Sequence, residues 1–131
     1  MSGAVELEAA TYIPTKILGH TIEEDAKVSF HVCFGPVTQG KISEFEAQEL
    51  KASLVYAYWR RLGGRNEATG LDVYHPFDIL SHEIINCEVF YQVQWIGYST
   101  RDTTFEEASM VEGMCAELKH EYDVENGLVR Q

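Results

Sequence analysis

Cysteine is scarce in this chain. Cys33, Cys87 and Cys115 are odd in number and widely spaced, and none forms the close pairs that zinc sites use, so a reduced intracellular compartment and no metal site are expected. The five histidines, His20, His31, His75, His82 and His120, show no ligand spacing, and neither a G-x-S-x-G turn nor a phosphate-binding glycine loop occurs. These absences argue against an enzyme: no catalytic residue and no cofactor is assigned. No run approaches the ~20 apolar residues of a membrane span. Met1 to Ala10 carries Glu6 and Glu8 without an apolar core segment, so no signal peptide is expected in that stretch, which reads as a loose start. Basic residues are also few. Ten lysines and arginines stand against 21 acidic side chains, a formal charge of −11, and such a field repels phosphate backbones. Direct binding of DNA or RNA is disfavoured; the charge suits either a basic partner or simple solubility.

What is present is enough apolar material for a core, 45% hydrophobic and 11% aromatic, so a globular chain is expected rather than disorder. Tyr12 to Ile22 is rich in β-branched residues and reads as a strand. After the charged turn Glu23-Glu24-Asp25, Val28, Phe30, Val32 and Phe34 alternate with polar residues, the period of a half-buried strand. Gly35-Pro36 breaks it, and Gln39-Gly40 leads into a third strand at Lys41-Ile42. Ser43 and Glu46 form a capping-box signature opening a helix with Leu50, Leu54, Tyr58 and Leu62 four residues apart, stopped by Gly63-Gly64.

The polar stretch 65–70 lacks periodicity and reads as a linker. Beyond it the chain repeats itself. Tyr74, Pro76, Ile79, Leu80, His82 and Ile84 match Tyr12, Pro14, Ile17, Leu18, His20 and Ile22 at a constant offset. His20 and His82 are expected to pack against the same turn in each copy. Val89, Tyr91, Val93 and Trp95 alternate along a second strand, and Thr103, Thr104 and a buried Phe105 suggest a third. Ser109 and Glu112 form another capping box before the apolar stripe Val111, Met114, Cys115, Leu118 and Tyr122. The expected architecture is α+β, two strand-strand-strand-helix units over 11–64 and 71–125, each a three-stranded curved antiparallel sheet with a C-terminal helix packed against it.

The second unit resembles a chromodomain. The likeness is carried by Y-H-P-F-D-I-L at Tyr74 to Leu80, Y-Q-V-Q-W-I-G-Y at Tyr91 to Tyr98 and D-T-T-F-E at Asp102 to Glu106. In the first unit L-V-Y-A-Y-W-R-R-L at Leu54 to Leu62 is similar to the terminal helix of chromoshadow domains. The resemblance implies a nuclear, chromatin-associated binding module whose second unit recognises a methylated lysine on a basic histone tail. The cage positions of the family fall on Tyr74, Trp95 and Tyr98, with Asp102 at a position often acidic. The tail would add as a strand beside the first strand of the unit. There Pro76 offers no N–H.

In the first unit Tyr12 is kept, but Phe34 stands for the tryptophan and Val37 near the third position, so no methyl-lysine binding is expected from it. A shadow-type module would instead bind protein through Val55, Tyr58, Trp59 and Leu62, as a homodimer or heterodimer or with other chromatin proteins. The alternative function is such an interaction module without methyl-lysine binding.

Overall fold

The computed structural model describes residues 12–129; the segment 1–10, read above as a loose start, lies outside the described residues. The chain is α+β, with two three-stranded antiparallel sheets, and it divides into two compact units between Asp72 and Val73.

In the first unit β1 (Lys16–Ile22), β2 (Val28–Cys33) and β3 (Gln39–Ser43) lie in that order in the sheet. Val28, Phe30 and Val32 are buried, as period-2 alternation requires of one face. The charged turn forms a short 3-10 segment, Glu24–Ala26. Helix α1 (Glu44–Arg61) starts on the expected box: the Ser43 hydroxyl accepts from the Glu46 N–H at 3.0 Å, and the Glu46 carboxylate accepts from the Ser43 N–H at 3.5 Å. The stripe predicted along α1 does not hold. Lys51 is extended (φ −155, ψ 73) and interrupts the helix, which resets the inward face. Ala47 and Gln48 are buried before the break and Val55, Tyr58 and Trp59 after it, while Leu50 and Leu62 are exposed. Ile17, Val28, Phe30 and Val32 form one cluster with Ala47, Val55, Tyr58 and Trp59.

The stretch 65–70 is not a linker. Arg65–Thr69 forms a short helix, α2, so the first unit does not end on its long helix. Arg65 is buried and grips the buried Glu44 through two bonds, Nε to Oε2 and Nη2 to Oε1, each 2.8 Å. Glu44 Oε2 also accepts the Trp59 indole N–H at 2.8 Å, and the guanidinium lies 5.8 Å from the Trp59 ring centre. One carboxylate thus ties together the start and end of α1 and the first residue of α2. Two of the guanidinium nitrogens that mark Arg65 as linker in the sequence are spent on the Glu44 carboxylate inside the unit.

In the second unit β4 (Pro76–Ile85), β5 (Glu88–Trp95) and β6 (Thr104–Glu107) repeat the order, followed by α3 (Ala108–Glu125). Val93 and Tyr91 are buried with Ile79 and Val111. Phe105, expected inside, is 48% exposed because it pairs with Gln92 and so faces away from Tyr91 and Val93. The second capping box does not form. The strand β6 runs to Glu107 and the helix begins at Ala108, which puts Ser109 inside the first turn, where it lacks the extended backbone of a cap. Helix α3 is interrupted at Cys115 (φ −158, ψ 68), the eighth of its 18 residues, as Lys51 is the eighth of 18 in α1. The repeat therefore extends to a backbone break invisible in the matched residues.

It extends also to a histidine–tyrosine bond. His20 Nδ1 lies 2.6 Å from the Tyr58 hydroxyl, and His82 Nδ1 lies 2.7 Å from that of Tyr122, both ring pairs crossing at 79°. The two histidines hold the long helix of their unit rather than a turn. Where the first unit buries Phe30 against Trp59, with ring centres 5.5 Å apart, the second buries Tyr91, whose hydroxyl donates to Asp123 at 2.7 Å. Lys119 donates to the other Asp123 oxygen at 3.0 Å. Burial, reinforced by the Asp123 carboxylate, pushes the Tyr91 hydroxyl well above the ordinary tyrosine range. Burial works against the Lys119 charge, but Asp123 and Glu112 outweigh it and hold its pKa above the usual lysine value.

Two outcomes follow. Arg65→Ala leaves a buried carboxylate with one donor and should cost about 3–5 kcal/mol, read as an earlier denaturant transition of Trp59 fluorescence. Tyr91 and Lys119 both have folded pKa values raised above their unfolded ones. Their contribution is complete below the unfolded pKa values, near 10, and is lost as pH rises toward the folded values. Tyr91→Phe should therefore flatten the alkaline loss of stability of the second unit, while costing about 1–3 kcal/mol at neutral pH because Asp123 loses a buried donor; alkaline denaturation curves of the two proteins check both.

Candidate functional site

The second hairpin of the second unit builds the site from its backbone outward. Strand β5 ends at Trp95, and the Tyr98 N–H closes a turn onto the Trp95 carbonyl at 3.0 Å. Gly97 occupies the third position of that turn with φ +91, a region that side chains disfavour and that glycine enters freely. The Gln94 side chain, buried, donates to the Tyr98 carbonyl at 3.0 Å and pins the turn. The Ile96 N–H donates to the His75 carbonyl at 2.9 Å, which draws the segment before β4 against the same turn. Tyr74 arrives with it.

These bonds bring three rings together. The Tyr74 ring centre lies 6.5 Å from that of Trp95 and 5.8 Å from that of Tyr98, with interplanar angles of 66° and 72°. All three side chains are half-buried. Asp102 sits in the loop that follows, its N–H donating to the Ser99 carbonyl at 3.1 Å and its side chain exposed. The Tyr74 ring is the one that meets both others, and among the described residues no contact of the Asp102 carboxylate joins them.

Two residues that sequence reasoning missed stand behind the tryptophan. The Trp95 indole N–H donates to the Thr104 hydroxyl at 2.9 Å, and that hydroxyl donates to Glu106 Oε2 at 2.8 Å. Thr104 pairs with Val93, which makes it a diagonal cross-strand neighbour of Trp95. The register, once known, is the signal that would have found it.

The equivalent place in the first unit is different. Tyr12 and Phe34 lie 5.6 Å apart at a shallow 32°, and Val37 is 89% exposed, so no third ring closes the set. Gly40, which pairs with Val32 as Thr104 pairs with Val93, lies under Phe34, and a Cβ there would stand 2.9 Å from the ring.

The expected protein interface of the first unit needs correction. Val55, Tyr58 and Trp59 are 0%, 6% and 3% exposed and serve the core, so only Leu62, at 42%, remains on the surface. The stripe that resembles a docking helix is turned inward because these side chains are the main apolar bulk available to cover β1 and β2. Elsewhere in the second unit a cavity of about 420 Å³ is lined by Cys87, Glu88, Tyr91, Glu107, Lys119 and Asp123 among others and shares no residue with the three rings. Asp123 and Lys119 there are already bonded to each other. Among the described residues no group of three or more potential ligands could hold a metal ion, and no helix is long and apolar enough to cross a membrane.

Gly97→Ala should destabilise the second unit by about 1–3 kcal/mol through backbone strain and loosen Tyr98, seen as an earlier unfolding transition of Trp95 with the Trp59 transition unchanged. Comparison with protein-family models finds no match to this chain, and comparison with curated proteins finds none either.

Proposed function

We propose that the second unit is a chromodomain-like reader that holds a methylated lysine of a basic histone tail among Tyr74, Trp95 and Tyr98, and that the chain acts on chromatin in the nucleus. The observation that carries this reading is the steep, close meeting of the Tyr74 ring with the other two, at 6.5 Å and 5.8 Å. A trimethylated ammonium cannot donate hydrogen bonds and is weakly hydrated. Aromatic faces replace its water at little cost and attract the charge by ~0.5–2 kcal/mol per well-placed ring. An ordinary lysine would give up strong hydration on entering and gain no hydrogen bond in return.

The remaining affinity comes from the chain beside the cage. In the sheet order β4-β5-β6 one edge of β4 is unpaired within that sheet, and an extended tail can add there through backbone hydrogen bonds. Pro76 is the first residue of β4, where a missing N–H is best tolerated, and the register shifts between Pro76 and Asp78 and again between Ile79 and Ser81. Those irregularities restrict pairing to part of the edge. Micromolar binding requires only ~8 kcal/mol. The charge of −11 on the whole chain draws a cationic tail toward it and makes association fall with salt.

The first unit contributes no second cage in this reading, because its aromatic set stops at Tyr12 and Phe34. The whole chain titrated with trimethylated and unmethylated forms of one basic tail peptide should prefer the methylated form by about tenfold, the equivalent of ~1.4 kcal/mol. Trp95→Ala, checked for folding by circular dichroism, should abolish that preference. Equal binding of the two peptides by the unaltered protein would remove the reader function.

A further inference from the structure

We propose that Thr104 and Glu106 are positioning residues that fix the Trp95 indole as a wall of the ammonium pocket and enrich its π face. This rests on the reader function above and deepens it. The argument starts from the register. Val93 faces Thr104, and Tyr91 faces Glu106, so Thr104 and Glu106 lie on one face of β6 as the strand period requires. Trp95, two residues past Val93, leans onto the same face and meets Thr104 on the diagonal.

The hydrogen bonds run in one direction. The indole N–H donates to the Thr104 hydroxyl at 2.9 Å, which uses its own proton to reach Glu106 Oε2 at 2.8 Å. A hydroxyl that donates to a carboxylate becomes a better acceptor, since successive hydrogen bonds polarise one another. The indole thereby gains a fixed plane, and electron density is pushed from its N–H toward the ring, whose negative face is what attracts a quaternary ammonium. Trp95 is half-buried against the core cluster, and the relay adds a fixed point at its indole N–H.

The first unit shows the consequence of lacking it. Gly40 and Ile42 occupy the places of Thr104 and Glu106 in the register, with Gly40 opposite Val32 and Ile42 opposite Phe30. No hydroxyl and no carboxylate stand there. The aromatic ring has settled over Gly40 and closes the space a side chain at that position would need. One scaffold thus holds its aromatic at this corner in two ways, flattened onto a glycine or hung on a threonine.

Thr104→Val keeps the shape and removes the relay, and Thr104→Ser restores the hydroxyl. In the whole chain, Thr104→Val should weaken binding of the trimethylated tail peptide about fivefold while leaving the unmethylated peptide unaffected. It should also shift the Trp95 indole N–H resonance and speed its exchange with solvent without moving that of Trp59, and Thr104→Ser should return both readouts to those of the unaltered protein. Glu106→Ala, which leaves the hydroxyl without its acceptor, is expected to fall between the two and serves in place of Thr104→Val if that variant does not fold. A folded Thr104→Val protein with unaltered preference for the methylated peptide overturns the relay alone. Failure of the unaltered protein to discriminate between the peptides overturns the reader function and the relay with it.

Discussion

Small size is the constraint on which the rest of this structure depends. A unit of about sixty residues buries little apolar surface, so a charged group inside it is costly unless it is paired. Each unit answers with one buried carboxylate placed to collect several donors. In the first unit Glu44 holds both Arg65 and Trp59; in the second Asp123 holds both Tyr91 and Lys119. The carboxylates come from opposite ends of the long helix in the two units, yet each joins that helix to another element. In the first unit this element is α2, and in the second it is β5.

The same economy shapes the candidate site. Hydrogen bonds within a four-residue turn, a glycine in a conformation other residues resist, and one bond back to His75 are sufficient to bring Tyr74, Trp95 and Tyr98 to one corner of the sheet. For the function proposed the corner needs no deep cavity, because a methylated ammonium is recognised by surfaces and not by hydrogen bonds. In the proposed reading a half-buried aromatic set on a small sheet receives such a cation, while the cavity beside Lys119 and Asp123 is bordered by side chains committed to each other.

Much of this was legible in the chain. The alternation of Val28, Phe30 and Val32 and of Tyr91 and Val93 marked both central strands, the Ser43–Glu46 box marked the first helix start, and the matched residues from Tyr12 and Tyr74 onward marked the repeat. The sequence failed where one residue type fits two environments. Arg65 looks like linker because arginine is usually solvated, but a bidentate carboxylate partner lets it be buried. Val55, Tyr58 and Trp59 look like a docking stripe because the periodicity of an interface helix is that of a core helix. Ser109 carries a cap signature, but the strand before it had already run into the helix.

What the sequence determined by itself is the α+β class, the doubling of the unit and a glycine turn that sets Trp95 and Tyr98 three residues apart, because local periodicity and turn chemistry act over a few neighbours. What only the tertiary structure decided is which aromatics face inward, where each long helix breaks, and that Thr104 and Glu106 stand behind Trp95. Those depend on register and on partners tens of residues away, and a hydrogen bond across two strands leaves no mark in the order of residues along either one.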